Sequence, residues 1–353
     1  MRLFDESAPA RSRAVTRLSL GASPAVLGAM LALQPQVAQA QAFQGTETVI
    51  LGNVSRITSG NTDIFTVNAL QNTINWTPTD TGPGPAPINF LPTGANAIFT
   101  AGPGTNGANY TVLNRIIAAD QTRAIAFSGN VTAGPDGRIW FYAPGGLLLN
   151  AGSQFDVGGL LLTANDPVGA AAGQPYLSAT NQFQLRAAGG STAGVTINAS
   201  ATITSDSYMI AVAPRFAING TATIGPGASA ALVAAEDVSF TLNGGLFDIT
   251  TNVGTTAGGI SSVGGSITGP GGLGGQGIYS RIYAMAVPRN NAMTLLIAGG
   301  SQLGFAVANA ADVDGNAVVL SGGYDIVGSP FGQGTTQFGA LPVAGSNADA
   351  IVR

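Results

Sequence analysis

Ile139-Trp-Phe-Tyr-Ala-Pro144 is an apolar run that ends at a proline, and it has two counterparts further along the chain. These are Met209-Ile-Ala-Val-Ala-Pro214 and Tyr283-Ala-Met-Ala-Val-Pro288, and the three prolines lie 70 and 74 residues apart. A strand that recurs at a nearly fixed period is typical of a repeat architecture. If one coil takes about 20–25 residues, each interval is predicted to hold about three coils.

Short strands separated by turn residues surround these runs. Segments of four to seven residues rich in Val, Ile, Leu, Thr, Phe and Tyr alternate with Gly, Asn, Asp and Pro, and helical patterns are almost missing. Sandwiches and solenoids both produce this spacing, but the repeat favours a β-solenoid with Gly and Asn at its tight corners. Asp166 to Gly194 and Gly254 to Gly277 break the pattern, and we expect both to be loops that leave the stack.

The composition excludes several kinds of chemistry. The chain has 353 residues, of which 51 are Gly and only 8% are charged, and it contains no Cys, no His and no Lys. A thiol nucleophile, a disulfide, a Cys/His zinc site, a His-based triad and a Walker A loop are therefore impossible. An enzyme would have to use carboxylates, Arg, Tyr or Ser, and the sequence predicts no cofactor and no metal.

The first forty residues have the pattern of a secretory signal peptide. Four arginines precede an apolar stretch from Leu18 to Leu33, and Ala38-Gln39-Ala40 then supplies a small-x-small cleavage site, with Ala40-Gln41-Ala42 as the alternative. A membrane anchor is the competing interpretation, but two glycines and a proline interrupt the apolar stretch. We therefore predict a signal peptide at 1–40.

The chain that remains after cleavage is acidic. It keeps 9 basic and 15 acidic residues, a net charge of about −6, which is unsuited to binding phosphate backbones, so no nucleic acid partner is expected. The uncharged stretch from Asn290 to Ala311 contains glycines and polar residues and is predicted to form two strands and a turn. No transmembrane helix is predicted in the mature chain.

Six short motifs follow one another between residues 74 and 160. They are Ile74-Asn-Trp76, Ile88-Asn-Phe-Leu-Pro92, Val112-Leu-Asn-Arg-Ile116, Ser128-Gly-Asn-Val131, Trp140-Phe-Tyr-Ala-Pro-Gly-Gly146 and Phe155-Asp-Val-Gly-Gly-Leu160. Their order resembles the N-terminal secretion domain of filamentous haemagglutinin-type exoproteins, the two-partner secretion family. The resemblance is good from about residue 43 to 165 and looser to about 325.

The resemblance implies a right-handed parallel β-helix (β-solenoid) with an N-terminal cap and extra-helical loops. Residues 41–165 would form the capped start that contains the secretion motifs, and 166–353 would continue the same domain as coils with Gly-rich excursions. It further implies recognition in the periplasm by a cognate outer-membrane β-barrel transporter, export in the unfolded state, and folding outside. The product would be a non-enzymatic adhesin or surface filament protein, secreted or on the bacterial cell surface, with host or cell-surface glycans or proteins as further candidate partners.

The resemblance also points to the residues of the secretion motifs. Asn114 and Arg115 occupy the Leu-Asn-Arg-Ile-like motif, although an isolated structural arginine is an equally good interpretation of Arg115. At the Asn-Pro-Asn-Gly-like position the chain has Ala143-Pro144-Gly145-Gly146, so both Asn side chains are replaced. Proline and glycine can still form the turn. Trp76 and Trp140 are predicted to be cap and core residues.

Other chemical candidates have simpler interpretations. Gly272-Leu-Gly-Gly-Gln-Gly277 matches a dinucleotide-binding pattern but lacks the strand and helix around it, and Asp312-Val-Asp-Gly-Asn316 is predicted to be an ordinary corner. The acidic pair Glu236-Asp237 would point to opposite faces of a strand. Two alternatives stay open: a secreted β-helix polysaccharide lyase or glycosidase that uses Asp or Glu, and a self-assembling surface matrix protein.

Overall fold

The computed structural model describes residues 41–271 and 280–305 and the backbone of four later strands. Regular structure in this part of the chain is almost entirely β, with three-residue 3-10 helices at Pro103–Thr105 and Ala170–Ala172. None of the described helices is long and apolar enough to cross a membrane. The predicted all-β class is confirmed. The signal peptide predicted at 1–40, the glycine motif at 272–277 and the corner at 312–316 lie outside the described residues.

The strands of the first half of the chain are β1 (Gly45–Leu51), β2 (Val54–Ser59), β3 (Thr62–Val67), β4 (Gln71–Pro78), β5 (Ile88–Leu91), β6 (Asn96–Ala101), β7 (Tyr110–Ile116), β8 (Ile125–Phe127), β9 (Asn130–Ala133), β10 (Gly137–Tyr142), β11 (Leu147–Leu149), β12 (Gln154–Thr163), β13 (Asp166–Pro167) and β14 (Gln182–Arg186). The strands of the second half are β15 (Gly194–Ile197), β16 (Thr202–Ala213), β17 (Arg215–Ile218), β18 (Thr221–Ile224), β19 (Ser229–Asn243), β20 (Leu246–Gly254), β21 (Gly259–Val263), β22 (Ser266–Gly269), β23 (Arg281–Ala286), β24 (Met293–Ile297), β25 (Gln302–Phe305), β26 (Ala317–Gly322), β27 (Gly334–Phe338), β28 (Val343–Ala344) and β29 (Asp349–Val352).

Parallel pairing between successive turns of the chain builds both sheets. The eight-stranded sheet contains β5, β8, β11, β15, β17, β21, β24 and β27 in chain order, and every neighbouring pair is parallel. The larger sheet contains two more parallel ladders, which start at β3 and β4 and share the long strands β12 and β16. The chain therefore returns to each ladder from the same direction once per turn.

The apolar runs of the sequence lie in register with one another in this stack. Ile139 pairs with Leu160, Leu160 with Met209, Met209 with Ala230, and Ala230 with Ile282. These steps span 21, 49, 21 and 52 residues, so each interval between the prolines holds two turns. The prediction of three coils per interval is wrong, because one turn in each interval contains an inserted excursion.

These runs are apolar throughout because both of their faces are buried. Ile139 and Phe141 belong to the core cluster inside the stack, whereas Trp140, between them, belongs to a second cluster on the outside. That outer face is covered by antiparallel strands β13, β14, β19 and β20, in which the rings of Phe183 and Phe240 stack at 5.2 Å. Strands buried on both sides are expected to lose the alternation of polar and apolar residues.

The excursions are only partly where the sequence predicts them. The segment Asp166 to Gly194 does leave the stack, and β13 and β14 in it join the antiparallel cover. For Gly254 to Gly271, the described part of the second predicted loop, the prediction is wrong, because β21 and β22 lie within the parallel ladders. The second excursion lies earlier, where β19 runs on beyond the stack and β20 returns antiparallel to it. Strands β21 and β22 are rich in Gly, Ser and Thr, so they lack the apolar pattern by which a strand is predicted. The apolar residues of β19, in contrast, pack in the antiparallel cover.

The N-terminal strands β1 and β2 lie outside the parallel ladders and pair antiparallel. β1 pairs with β4 and β2 with β3, and β4 and β3 each begin one of the parallel ladders of the larger sheet. A cluster of aromatic rings fills the interior there: Phe43 stacks on Phe90 at 4.9 Å and Phe65 on Phe99 at 4.6 Å. Trp76 meets three of these rings edge-on and is fully buried.

Candidate functional site

Asn114 lies on β7 and connects three successive strands of one ladder. Its Oδ1 accepts a hydrogen bond of 3.0 Å from Nε1 of Trp76 on β4, and its Nδ2 donates one of 3.3 Å to the carbonyl of Trp140 on β10. The side chain is fully buried. In the folded domain Asn114 therefore serves the packing of the stack and is not available to a partner.

Arg115 is the neighbouring residue and points to the opposite face. Its Nε and Nη2 donate to the two carboxylate oxygens of Asp166 at 3.0 and 2.5 Å, and its Nη1 donates to Oδ1 of Asn75 at 2.8 Å. The guanidinium lies 5.4 Å from the ring centre of Tyr142, the residue with which Arg115 pairs on β10. A bidentate Arg–carboxylate contact, with two parallel hydrogen bonds, is among the stronger polar interactions in proteins. Arg115 thus ties the first excursion to the stack.

Ala143-Pro144-Gly145-Gly146 forms the corner between β10 and β11. The Gly146 N–H donates to the carbonyl of Ala143 at 3.0 Å, and Gly146 has a φ of +97°, which favours glycine. A Cβ on Gly145 would overlap the backbone carbonyl of Arg123. The prediction that a turn still forms without the two Asn side chains is confirmed.

These predicted residues do not converge on one exposed patch. Arg115 pairs with Tyr142, directly before the corner, so the two motifs are adjacent in the ladder. Asn114 and Ala143 are nevertheless buried, and Pro144 and Gly145 are half-buried. Only the corner, through Pro144 and Gly145, borders an open groove on the surface.

Sequence reasoning missed a second arginine that organises this region. Arg123 donates to both carboxylate oxygens of Asp80 at 3.1 and 2.7 Å and to the carbonyl of Ala86 at 2.7 Å. The hydrogen bonds from Arg123 and from the Gly82 backbone lower the pKa of Asp80 below its usual value. Asp80 and Arg123 are 43 residues apart, and no local pattern in the sequence connects them.

Trp140 and Tyr208 form a further buried polar pair, beneath the antiparallel cover. The indole Nε1 of Trp140 donates to the hydroxyl of Tyr208 at 2.7 Å. Burial raises the pKa of Tyr208 to about 12, because the phenolate would be poorly solvated there. Both tryptophans are buried as predicted, although Trp140 faces the covering sheet and not the interior of the stack.

The adjacent acidic residues Glu236 and Asp237 have separate partners, as expected for neighbours on one strand. Glu236 Oε1 accepts from the backbone and hydroxyl of Thr256, whereas Asp237 accepts from Arg186 and Asn252. Burial by itself would raise the pKa of Asp237, but the hydrogen bonds that it accepts lower it overall. Within residues 41–271 and 280–305, no three His, Cys, Asp or Glu side chains are grouped to hold a metal ion.

Comparison with known proteins shows likeness in structure and none in sequence. No family model and no curated protein matches the chain. The secretion domain of HMW1 from Haemophilus influenzae is similar in structure at 14% identity, with a TM-score of 0.53, over 87% of this chain and 86% of that one. The filamentous hemagglutinin secretion domain also matches, at 13% identity, over 88% of this chain and 99% of that one, but its TM-score of 0.37 is too low to add an argument. The chain therefore has the fold of a secretion domain, that of HMW1.

Proposed function

We propose that this protein is a secreted exoprotein of the two-partner secretion type, exported by a cognate outer-membrane β-barrel transporter. The observation that supports this most is the likeness to the HMW1 secretion domain over 87% of the chain. The six motifs between residues 74 and 160, in the order that resembles this family, support it independently.

The proposed architecture is a right-handed parallel β-helix with an N-terminal cap. Parallel ladders that follow chain order in both sheets support the β-helix, and the antiparallel pairs β1–β4 and β2–β3 support the cap. In this proposal residues 41–165 and 166–353 are one continuous domain, and the antiparallel cover is an extra-helical excursion.

The proposed route passes through the periplasm to the cell surface or the medium. The pattern of residues 1–40 supports secretion across the inner membrane. A chain without Cys cannot be locked by a periplasmic disulfide before it crosses the outer membrane. Because Asn114 is buried once folded, any recognition through it has to precede folding.

Outside the cell the proposed role is that of an adhesin or surface filament protein, and not an enzyme. The hydrogen bonds that engage Glu236 and Asp237 separately support this, since a two-carboxylate mechanism needs both groups on one substrate. The enzyme and matrix-protein alternatives have no observation in their favour among the described contacts.

Co-expression with a candidate transporter from a neighbouring gene tests the proposal. We expect wild-type protein in the medium and Asn114→Ala retained in the periplasm. Trp76→Phe is the matched comparison, because it breaks the same folded-state hydrogen bond but leaves Asn114 and the rest of its motif, Val112 to Ile116, unchanged. Equal amounts of Asn114→Ala and wild type in the medium would contradict a role of Asn114 in export, and no export of wild type would contradict the proposal itself.

A further inference from the structure

A groove of about 820 Å³ crosses the outer face of the eight-stranded sheet. Its floor is a row of paired outward side chains on neighbouring strands: Leu148 on β11, Thr196 on β15 and Ala217 on β17. The corner at Pro144 and Gly145 forms one wall, and the loop 188–193 forms the other. This volume lies in the usual range for sites that bind small molecules.

Arg215 is the charged side chain of this groove. It is exposed at the start of β17, and its Nη2 donates to the carbonyl of Thr192 in the loop wall at 3.0 Å. Within the described part of the chain it forms no ion pair, and the residues that line the groove include no Asp or Glu. On a chain with a net charge near −6, Arg215 is thus an isolated positive charge inside a concave site.

The remaining lining is mixed in a way that suits a sugar. Thr122 on one wall and Ser191 and Thr192 on the other provide hydroxyl groups, and Gln121 adds an amide. Ile260, 57% exposed, adds an apolar surface to the floor. The hydroxyl groups of the walls would form hydrogen bonds with the sugar hydroxyls, and Ile260 would pack against the C–H face of the sugar ring. Asp120 lies next to this wall, but its carboxylate accepts the hydrogen bonds of the Thr122 N–H and hydroxyl.

We propose that this groove binds a saccharide that carries a carboxylate, a uronic acid-type sugar, with the carboxylate on Arg215. A guanidinium matches a carboxylate with two parallel hydrogen bonds. Because none of the described residues that line the groove is Asp or Glu, the sugar would be held and not cleaved by a two-carboxylate mechanism. This inference rests on the proposed surface role, to which it adds a class of ligand.

Titration calorimetry on the purified protein with trigalacturonic acid tests this binding. The methyl ester of the same trisaccharide is the matched ligand, since it has the same hydroxyls and no charge. We expect the acid to bind, the ester to bind at least about tenfold more weakly, and Arg215→Ala to weaken binding of the acid by a similar factor, as loss of a charged hydrogen bond implies. Arg289→Ala removes another exposed arginine, outside the groove, and should leave binding unchanged.

Four results would overturn the proposal. These are no binding of the acid, equal binding of acid and ester, binding that Arg215→Ala does not weaken, and displacement by an equal concentration of acetate, which would indicate a site for small anions only. Loss of transporter-dependent export in Arg215→Ala without any saccharide binding would assign the groove to the transporter instead. The assay uses purified protein, so its outcome is separate from that of the export experiment.

Discussion

Replacement of Asn114 by alanine tests whether this residue holds the first turns of the stack together. The change removes the acceptor for the Trp76 indole N–H, which is fully buried and then has no partner. A buried donor left unsatisfied costs about 1–3 kcal/mol, and the lost bond to the Trp140 carbonyl adds about 0.5–1.5 kcal/mol. We therefore expect Asn114→Ala to lower the free energy of unfolding by about 2–4 kcal/mol.

Urea denaturation of the purified variants measures this loss. Asn89→Ala is the matched control, because Asn89 is an exposed asparagine on β5 and should change stability by less than about 0.5 kcal/mol. In the double variant Asn114→Ala/Trp76→Phe neither partner is present, so the combined loss should be smaller than the sum of the two single losses by about 1–2 kcal/mol. A loss below about 0.5 kcal/mol in Asn114→Ala, or strictly additive losses, would refute the reasoning.

Three further perturbations probe the corner, the excursion and the buried tyrosine. Gly145→Ala should destabilise the protein by about 1–3 kcal/mol, because the added Cβ overlaps a backbone carbonyl, whereas Gly134→Ala, with open space around it, should change little in the same urea assay. Arg115→Ala should make the segment that starts at Asp166 more accessible to limited proteolysis, since the bidentate contact is lost, and an unchanged cleavage pattern would contradict this. The pKa of Tyr208 is raised by burial to about 12, so its contribution to stability is complete below pH 10 and is lost as the pH rises toward 12; alkaline unfolding monitored by circular dichroism should be less steep in Tyr208→Phe.

The sequence was most informative where burial acts on both faces of a strand. Runs such as Ile139 to Pro144 predict strands correctly because the stack and the cover each demand apolar side chains from the same segment. The number of coils between these runs could not be predicted in the same way. An excursion changes the spacing without changing the strands, so one turn of 49 residues and one of 21 resemble three equal turns.

The failure of the loop prediction at β21 and β22 has a different physical origin. Strand β21 is stabilised by parallel backbone pairing with β17 and β24, which any side chain permits. Its Ser and Gly residues therefore allow backbone pairing within the ladder, although they do not form the apolar pattern by which a strand is predicted. The contact between Arg123 and Asp80 could not be predicted for a similar reason. The stacking of turns brings Asp80 to Arg123, and no local spacing in the sequence indicates this.

Asn114 links the proposed export route to the architecture of the domain. Its two hydrogen-bond partners come from the strand before it in the ladder and from the strand after it, so its side chain is satisfied only when three successive turns have assembled. Until then the amide is free, which is the state in which the proposed transporter would meet it. Folding then buries the same group and removes it from recognition. One side chain can thus serve export in the unfolded chain and packing in the folded one, provided that folding follows translocation, and the comparison of Asn114→Ala with Trp76→Phe separates these two roles.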